Sequence, residues 1–176
     1  MTSIFRASLD DIGLLSGIGT QTILESHGHS ASPEDMQHYV GKNMSEEAFA
    51  AELSDPENLY YIIYSDGEPV GYAKIVLNDP NPNVAAQNVT KLGRIYILKK
   101  FLGQPYGKEL FDHILNISKQ HAQAGMWLNV WIENHRAIKF YHKQGFKIVG
   151  SHDFEVSPTH INPNHVMFLK YQQKNV

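Results

Sequence analysis

The residues best suited to chemistry lie near the carboxyl end, where thirteen residues starting at Asn134 read N-H-R-A-I-K-F-Y-H-K-Q-G-F. Ala137, Phe140 and Tyr141 follow the i, i+3, i+4 spacing of one helical face. Asn134 is a residue type that caps helix N-termini, and Gly145 is typical of the position just after a helix. We expect a short helix that holds the Tyr141 phenol beside a capping amide, which makes Tyr141 a candidate proton donor.

A second candidate is a glycine-bearing turn that contains Gly103 and Gly107 and leads from a predicted strand into a predicted helix. Backbone N–H groups at a helix N-terminus are unpaired and bind phosphate, and glycines allow close approach. Lys99, Lys100 and Lys108 add positive charge. Such a turn is often only structural, and it matches neither a Walker loop nor a full G-x-G-x-x-G fingerprint.

The elements that position these residues follow from apolar periodicity, capping residues and turn residues. The pattern predicts strands at Ile4–Arg6, Leu59–Tyr64, Val70–Leu77, Leu92–Leu98, Met126–Ile132, Phe146–Val156 and His165–Tyr171, and helices at Leu9–Glu25, Pro33–Val40, Glu46–Leu53, Gln104–Ala124 and Asn134–Gln144. This order indicates an α/β (α+β) layered domain with a mixed sheet. A helical crossover joins the fourth and fifth strands, so we expect that pair to run parallel.

Length and composition limit the class of protein. At 176 residues the chain fits one domain, 1–176, and its hydrophobic (42%) and charged (19%) fractions are ordinary for a globular protein. No apolar run approaches the ~20 residues of a membrane helix, and no stretch reads as a signal peptide. The chain has no cysteine, which excludes disulfides and thiolate metal sites. We therefore expect a cytoplasmic protein that binds neither membrane nor nucleic acid.

Charge is distributed unevenly along the chain. Residues 1–60 contain ten acidic and two basic residues, a net charge of −8, whereas residues 91–147 contain ten basic and three acidic residues, a net charge of +7. This asymmetry suggests that the first part meets a cation and the second an anion. The alternative is that solvated helix faces simply differ in sign.

Together the two candidate segments resemble the GNAT superfamily of N-acetyltransferases, which transfer acetyl from acetyl-CoA to an amine. The family turn [QR]-x-x-G-x-[GA] corresponds to Leu102-Gly103-Gln104-Pro105-Tyr106-Gly107, with Leu102 in place of glutamine or arginine and Pro105 in place of a glycine. Pro105 lacks an N–H, so one phosphate donor is missing. The downstream match, which runs from Asn134 through Tyr141 to Phe146, is closer. The resemblance implies a GNAT-like, mostly antiparallel sheet with a central parallel pair, flanked by helices.

The resemblance also implies a mechanism of direct attack in a ternary complex, with acetyl-CoA as cosubstrate and no metal. The pantetheine arm would lie between strands 92–98 and 126–132, which splay apart in this family, and a backbone N–H of the first of these strands would polarise the thioester carbonyl. Tyr141 would protonate the departing thiolate. The residues implied in cofactor binding are Ile95, Tyr96, Ile97, Leu102, Gly103, Gln104, Tyr106, Gly107, Lys108 and Asn134.

Within the superfamily the chain most resembles the PaiA-type polyamine N-acetyltransferases. The stretches that carry this likeness are Ser32–Met36, Gly71–Lys74, Arg94–Ile97 and Trp127–Trp131. A polyamine acceptor would suit the acidic first part of the chain. A peptide N-terminus, a lysine side chain or an antibiotic amine are alternative acceptors, and a non-catalytic acyl-CoA-binding module is a third interpretation.

The general base stays open at this point. Many relatives place a glutamate on the strand before the turn, where this chain has Gly93. The candidates are Glu25, Glu133, Asp153 and the pair His27 and His29. We expect Trp127 and Trp131 to be packing residues and His27-Gly28-His29 to be a turn rather than a metal site. The protein is expected to be a monomer or a homodimer, for which His165–Tyr171 could provide the contact.

Overall fold

The structure is a computed structural model that describes residues 1–173. These residues form strands β1 (Thr2–Arg6), β2 (Asn58–Ser65), β3 (Glu68–Val76), β4 (Thr90–Ile97), β5 (Gly125–Trp131), β6 (Lys147–Ser157) and β7 (His160–Lys170). The helices are α1 (Ile12–His27), α2 (Pro33–Asn43), α3 (Glu46–Leu53), α4 (Tyr106–Gln120) and α5 (His135–Gln144). Short 3-10 turns at Leu9–Asp11 and Lys99–Phe101 precede α1 and α4.

All the strands belong to one sheet with the order β1-β2-β3-β4-β5-β7-β6. Neighbouring strands are antiparallel except for β4 and β5, which are parallel. The predicted fold class is therefore confirmed, as a mixed α/β fold whose mostly antiparallel sheet has one central parallel pair.

The parallel pair is short and opens into a fork. The register joins Thr90 to Met126 and Lys91 to Trp127, and beyond these two pairs the strands diverge. A buried polar network holds the closed end of the fork, where the hydroxyls of Thr90 and Ser118 lie 2.7 Å apart and Tyr171 Oη donates to Ser118 Oγ at 2.8 Å. Because these polar groups are buried and paired, they fix the position at which β4 leaves β5.

The sheet has a separate apolar core on each face. Helices α4 and α5 cover one face, where Leu110, Phe111 and Ile114 are buried. Helices α1, α2 and α3 cover the other, where Leu15 and Phe49 are buried. Side chains of a strand alternate between the faces, so β4 contributes to both cores.

Local signals explain why the elements begin and end where they do. Ser32 and Ser45 cap α2 and α3 with their side chains. The β2–β3 hairpin turns at Asp66 and Gly67, whose φ angles of 50° and 82° suit a tight two-residue turn. Gly145 ends α5 in the left-handed region with φ of 101°. The position of Gly145 agrees with the prediction from sequence.

Several predicted boundaries differ from the structure, and two of them are wrong by four residues or more. Helix α4 ends at Gln120 rather than Ala124, because Ala122 adopts a positive φ of 55° and Ala124 N–H donates to Asn88 O, next to the sheet. Strand β7 begins at His160, five residues before the predicted start. Pro163 argues against a strand, but it pairs opposite Asp153 in the β6–β7 hairpin.

Candidate active site

The fork between β4 and β5 encloses a cavity of about 450 Å³. Its walls come from the diverging strand segments Gly93–Ile97 and Leu128–Trp131, from the C-terminal half of α1 and from α5. Because the strands no longer bond to each other here, their edges can pair with a bound ligand. The predicted splaying of these strands is present.

Helix α5 places Tyr141 in this cavity. The side-chain oxygen of Asn134 accepts from Ala137 N at 3.3 Å, which caps the helix as predicted. The Tyr141 ring packs against Phe140 and Phe146, with centroids 5.6 and 5.5 Å away, and is 8% exposed. Burial raises the pKa of Tyr141 well above its usual value, so the phenol keeps its proton at neutral pH.

The glycine turn lies where β4 leads into α4. Gly103 has a φ of 90°, a conformation that glycine adopts without strain. Pro105 is the N-cap residue, and the first helical bond runs from Glu109 N to Pro105 O. The N–H groups of Tyr106, Gly107 and Lys108 precede that bond and have no helical partner. Although Pro105 has no N–H, the first turn of α4 can therefore still donate hydrogen bonds to a ligand.

The structure brings most, but not all, of the predicted cofactor residues to the cavity wall. Those that line it are Ile95, Tyr96, Ile97, Leu102, Gly107 and Asn134. Gly103, Gln104, Tyr106 and Lys108 lie in the adjoining turn instead, where Lys108 pairs with Asp112 and Tyr106 Oη lies 3.0 Å from Ser65 Oγ. Tyr96 is partly buried, and desolvation raises its pKa well above the usual value.

Gly93 occupies an irregularity in β4. The register with β3 shifts there, since Lys74 pairs with Arg94 but Ile75 pairs with Leu92. Gly93 is exposed and lines the cavity, so this part of the wall is backbone and offers no carboxylate. A bulge of this kind redirects the following side chains and peptide groups.

Of the candidate bases, the cavity wall includes Glu25 and His27. Glu25 Oε2 accepts from the backbone N–H of Lys99 at 2.8 Å. Glu133 and Asp153 are exposed and do not belong to the described lining of the cavity. His29 lies beside the cavity, with its ring 5.5 Å from that of Trp131.

Neighbouring contacts set the protonation of His27. Ser26 Oγ lies 2.8 Å from Thr22 O and 2.7 Å from His27 Nδ1. A hydroxyl has one hydrogen and the carbonyl can only accept, so Nδ1 donates to Ser26 and Nε2 carries the lone pair. Burial, with a smaller contribution from His29, lowers the pKa of His27 to about 4. His27 is therefore a neutral hydrogen-bond acceptor at pH 7.

The cavity has an aromatic end, which is formed by Tyr39, Tyr96, Trp131 and Phe154. Sequence reasoning missed Tyr39 and Phe154, which line it from α2 and β6 and whose rings lie 5.8 Å apart. Trp127 is a packing residue as expected, and its Nε1 donates to Asp79 O at 2.6 Å. Trp131 instead lines the cavity near His27, with ring centroids 6.1 Å apart. Alternation along β5 could only indicate that both tryptophans share a face.

Charge in the cavity differs from the division of charge along the sequence. Ten acidic residues precede position 61, and among the residues that the structure describes, Glu25 is the one member of this group that lines the cavity. Four basic residues line the cavity: Lys91, Arg94, Lys99 and Arg136. Within residues 1–173 no group of three or more histidine, aspartate and glutamate side chains is arranged to hold a metal ion. No helix in the same range has the length and hydropathy needed to cross a membrane.

Comparison with solved structures supports the fold. The PaiA N-acetyltransferase from Thermoplasma acidophilum, solved in complex with coenzyme A, aligns with a TM-score of 0.77 and 20% identity, over 97% of this chain and 99% of that one. The ribosomal-protein-S18-alanine N-acetyltransferase from Escherichia coli aligns with a TM-score of 0.72 and 17% identity, over 99% and 97% of the two chains. At these identities the likeness shows the fold alone.

Sequence comparison identifies the family. A relative from Lactobacillus delbrueckii subsp. lactis, described as an uncharacterized N-acetyltransferase, is 29% identical over 151 residues, which cover 86% of this chain and 87% of the relative. The model of the acetyltransferase (GNAT) family matches residues 23–146, a span that contains the fork, the glycine turn and Tyr141. Because that match covers more than two thirds of the chain, the protein belongs to the GNAT family and is an acetyl-CoA-dependent N-acetyltransferase.

Proposed function

We propose that the protein transfers acetyl from acetyl-CoA to a primary amine in a ternary complex, with Tyr141 as the general acid. The observation that carries this proposal is the position of Tyr141, a protonated phenol buried in the wall of the cavity between β4 and β5. In this mechanism the thioester lies in the fork and the amine attacks it directly.

The donor end of the proposed site is the glycine turn and the first turn of α4. The N–H groups of Tyr106, Gly107 and Lys108 would bind the pyrophosphate of the coenzyme, a role that suits helix N-termini. Backbone groups of Ile95 and Ile97 would bond to the pantetheine arm, and Asn134 would contact the same arm from α5.

The chemical step forms a C–N bond and breaks the C–S bond. As the thiolate leaves, Tyr141 gives it the phenolic proton and then recovers a proton from solvent. The attacking amine loses a proton, for which the cavity offers the Glu25 carboxylate and Nε2 of His27. A neutral His27 accepts only transiently, because its buried imidazolium is a strong acid.

A polyamine is the acceptor that the sequence favours, and two observations bear on it. The likeness to the PaiA structure supports it at the level of the fold. The charge of the cavity gives it little support, since Glu25 is the one acidic residue in the described lining. A polyamine is therefore one acceptor class to be tested beside peptide N-termini, lysine peptides and antibiotic amines.

The test is release of free thiol from acetyl-CoA with each acceptor class, on the wild-type protein and on Tyr141→Phe. We expect the variant to bind acetyl-CoA normally by calorimetry and to lose on the order of 10²-fold or more in kcat, the usual contribution of a general acid. The matched control is Tyr61→Phe, another buried tyrosine of the same core that is outside the described lining of the cavity.

Full activity of Tyr141→Phe across the pH range would refute the general-acid role. Coenzyme binding without turnover on any amine would refute catalysis and favour the non-catalytic acyl-CoA-binding interpretation.

A further inference from the structure

A partly buried charge cluster lies behind the aromatic end of the cavity, centred on the carboxylate of Glu52 from α3, which is 29% exposed. Lys74 Nζ lies 2.9 Å from Glu52 Oε2, and Arg94 Nη2 lies 3.9 Å from Glu52 Oε1. The two cations are 15% and 10% exposed. Tyr60 Oη donates to Glu52 and accepts from Arg94 Nη1 at 3.1 Å.

This cluster carries more positive than negative charge. One carboxylate is shared by two cations, and the guanidinium of Arg94 is always charged. Lys74 forms an ion pair with Glu52 at 2.9 Å, and this contact opposes the lowering of the Lys74 pKa that burial causes. The neighbouring phenols do not supply the missing charge, because burial raises the pKa of Tyr72 to about 12 and that of Tyr60 further. A net charge of about +1 is thus held in a low-dielectric region.

Arg94 presents this excess charge to the cavity. It is the member of the cluster that lines the cavity, and its Nη2 is too far from Glu52 for a hydrogen bond. Several of its N–H donors are therefore open to a ligand. A planar guanidinium of this kind suits a carboxylate, which it can bind with two parallel hydrogen bonds.

The position of Arg94 separates it from the proposed phosphate site. It lies four residues before Leu98 on β4, which corresponds to roughly 13 Å at the rise of a strand, and the glycine turn lies beyond Leu98. Arg94 also points to the side of the sheet that carries α1–α3, together with Tyr96, whereas Ile95 and Ile97 point to the α4 side. Its charge is therefore separate from the proposed phosphate site and lies at the aromatic end, with Tyr96 two residues along the same strand.

The walls at that end define the rest of the acceptor. Tyr39, Tyr96, Trp131 and Phe154 line it, so the body of the ligand meets aromatic surfaces. The acid in the described lining, Glu25, accepts from the backbone N–H of Lys99, which lies five residues after Arg94 and just beyond β4. The carboxylate next to Arg94 is therefore Glu52, which lies behind the cavity wall and is shared with Lys74.

We propose that the acceptor is a primary amine that carries a carboxylate on an apolar or aromatic body, and that Arg94 binds this carboxylate while the amine faces the fork. This inference rests on the proposed acetyltransferase function. It implies that a polycation is repelled at the aromatic end, where a polyamine would place a second ammonium near Arg94.

The test compares acceptors that differ by one carboxylate. The first pair is L-phenylalanine and phenethylamine, and the second, with a longer spacing, is 4-(aminomethyl)benzoate and benzylamine; spermidine is included as the polycation. We expect at least a 10-fold higher kcat/KM for the carboxylate member of one pair or both, and a lower value for spermidine. Equal use of both members in both pairs, or preference for spermidine, would overturn the proposal.

Arg94→Gln supplies the second arm. Without Arg94 the charges of Lys74 and Glu52 balance each other, so we expect the variant to fold. Thermal unfolding and acetyl-CoA binding of the variant check this expectation. The variant should lose the preference for the carboxylate member of each pair, because KM for that member rises. Its kcat/KM for the plain amine should stay within about 3-fold of the wild-type value. Retention of the preference in the variant would refute the role of Arg94.

The matched control is Arg136→Gln. Arg136 is exposed and lies two residues after Asn134 at the start of α5, so its removal should leave the ratio between paired acceptors unchanged. Loss of the ratio in this variant too would show a general effect of charge rather than a carboxylate site.

If no amine of any kind is acetylated, the proposed function itself fails. If plain amines or polyamines are acetylated without preference for a carboxylate, the function stands and the further inference fails.

Discussion

The neutral state of His27 predicts that this residue makes the protein less stable in acid. The ring lies against Trp131 and Tyr96, and Nδ1 donates to Ser26 Oγ. The folded protein therefore resists protonation of the imidazole until the pH approaches its lowered pKa of about 4. In the unfolded chain the same imidazole binds a proton near pH 6.5.

The magnitude follows from this difference in pKa. Between about pH 6.5 and 4 the unfolded state binds more protons than the folded state, so the free energy of unfolding falls as the pH falls. A difference of about 2.5 pKa units from His27 corresponds to roughly 3 kcal/mol when the transition is complete, of which about 2 kcal/mol is lost by pH 5. Above pH 7 the contribution of this residue is constant.

The assay is urea unfolding of the wild-type protein and of His27→Gln at pH 7, 6 and 5. The other titrating groups are common to both proteins, so the difference in free energy of unfolding isolates His27. We expect that difference to change by about 2 kcal/mol from pH 7 to pH 5, in favour of the variant. His152→Gln, at an exposed position of β6, is the control for replacing a histidine by glutamine. A His27→Gln difference that stays constant within about 0.5 kcal/mol would refute the reasoning, given the precision of extrapolated unfolding free energies.

Three further predictions concern the site and its support. Burial holds the pKa of Tyr141 above its usual value near ~10, so the phenol should keep its proton and kcat should not fall between pH 7 and 9.5. A fall in kcat over this range that is present in the wild type and absent in Tyr141→Phe would contradict this prediction. Gly145→Ala forces a side chain into a left-handed conformation, with its Cβ 3.2 Å from Leu169 Cδ1, and should cost about 1–2 kcal/mol of unfolding free energy. Phe111→Ala removes a ring that is 1% exposed and should cost about 3–5 kcal/mol, measured by chemical denaturation; a loss below 1 kcal/mol would show that the core collapses around the vacancy.

The parts of the site that sequence could predict are those set by neighbours in the chain. Asn134 as a cap, Gly145 as a helix end and the common face of Ala137 and Tyr141 depend on contacts within one helix, so residue types and spacing suffice. The same is true of the Asp66–Gly67 hairpin.

The acceptor end depends on contacts that no local pattern contains. Tyr39 and Phe154 are more than a hundred residues apart in the chain and meet because α2 packs on β6. The pairing of Arg94 with Glu52 joins a strand to a helix that precedes it by about forty residues. For this reason the charge of the cavity could not be deduced from the net charge of chain segments. The sequence gives the identity of every charged residue but not which of them line the cavity.

The fork described above also divides the sheet mechanically. Strands β1–β4 and β5–β7 each form a continuous antiparallel ribbon, and between the ribbons the described register contains the two pairs that start at Thr90 and Lys91. A ligand lying along the open edges would add hydrogen bonds between the ribbons that the chain alone does not make. A ligand bound in the fork therefore links the two ribbons, so that they unfold as one unit. Binding should raise the cooperativity of unfolding as well as the midpoint of the unfolding transition.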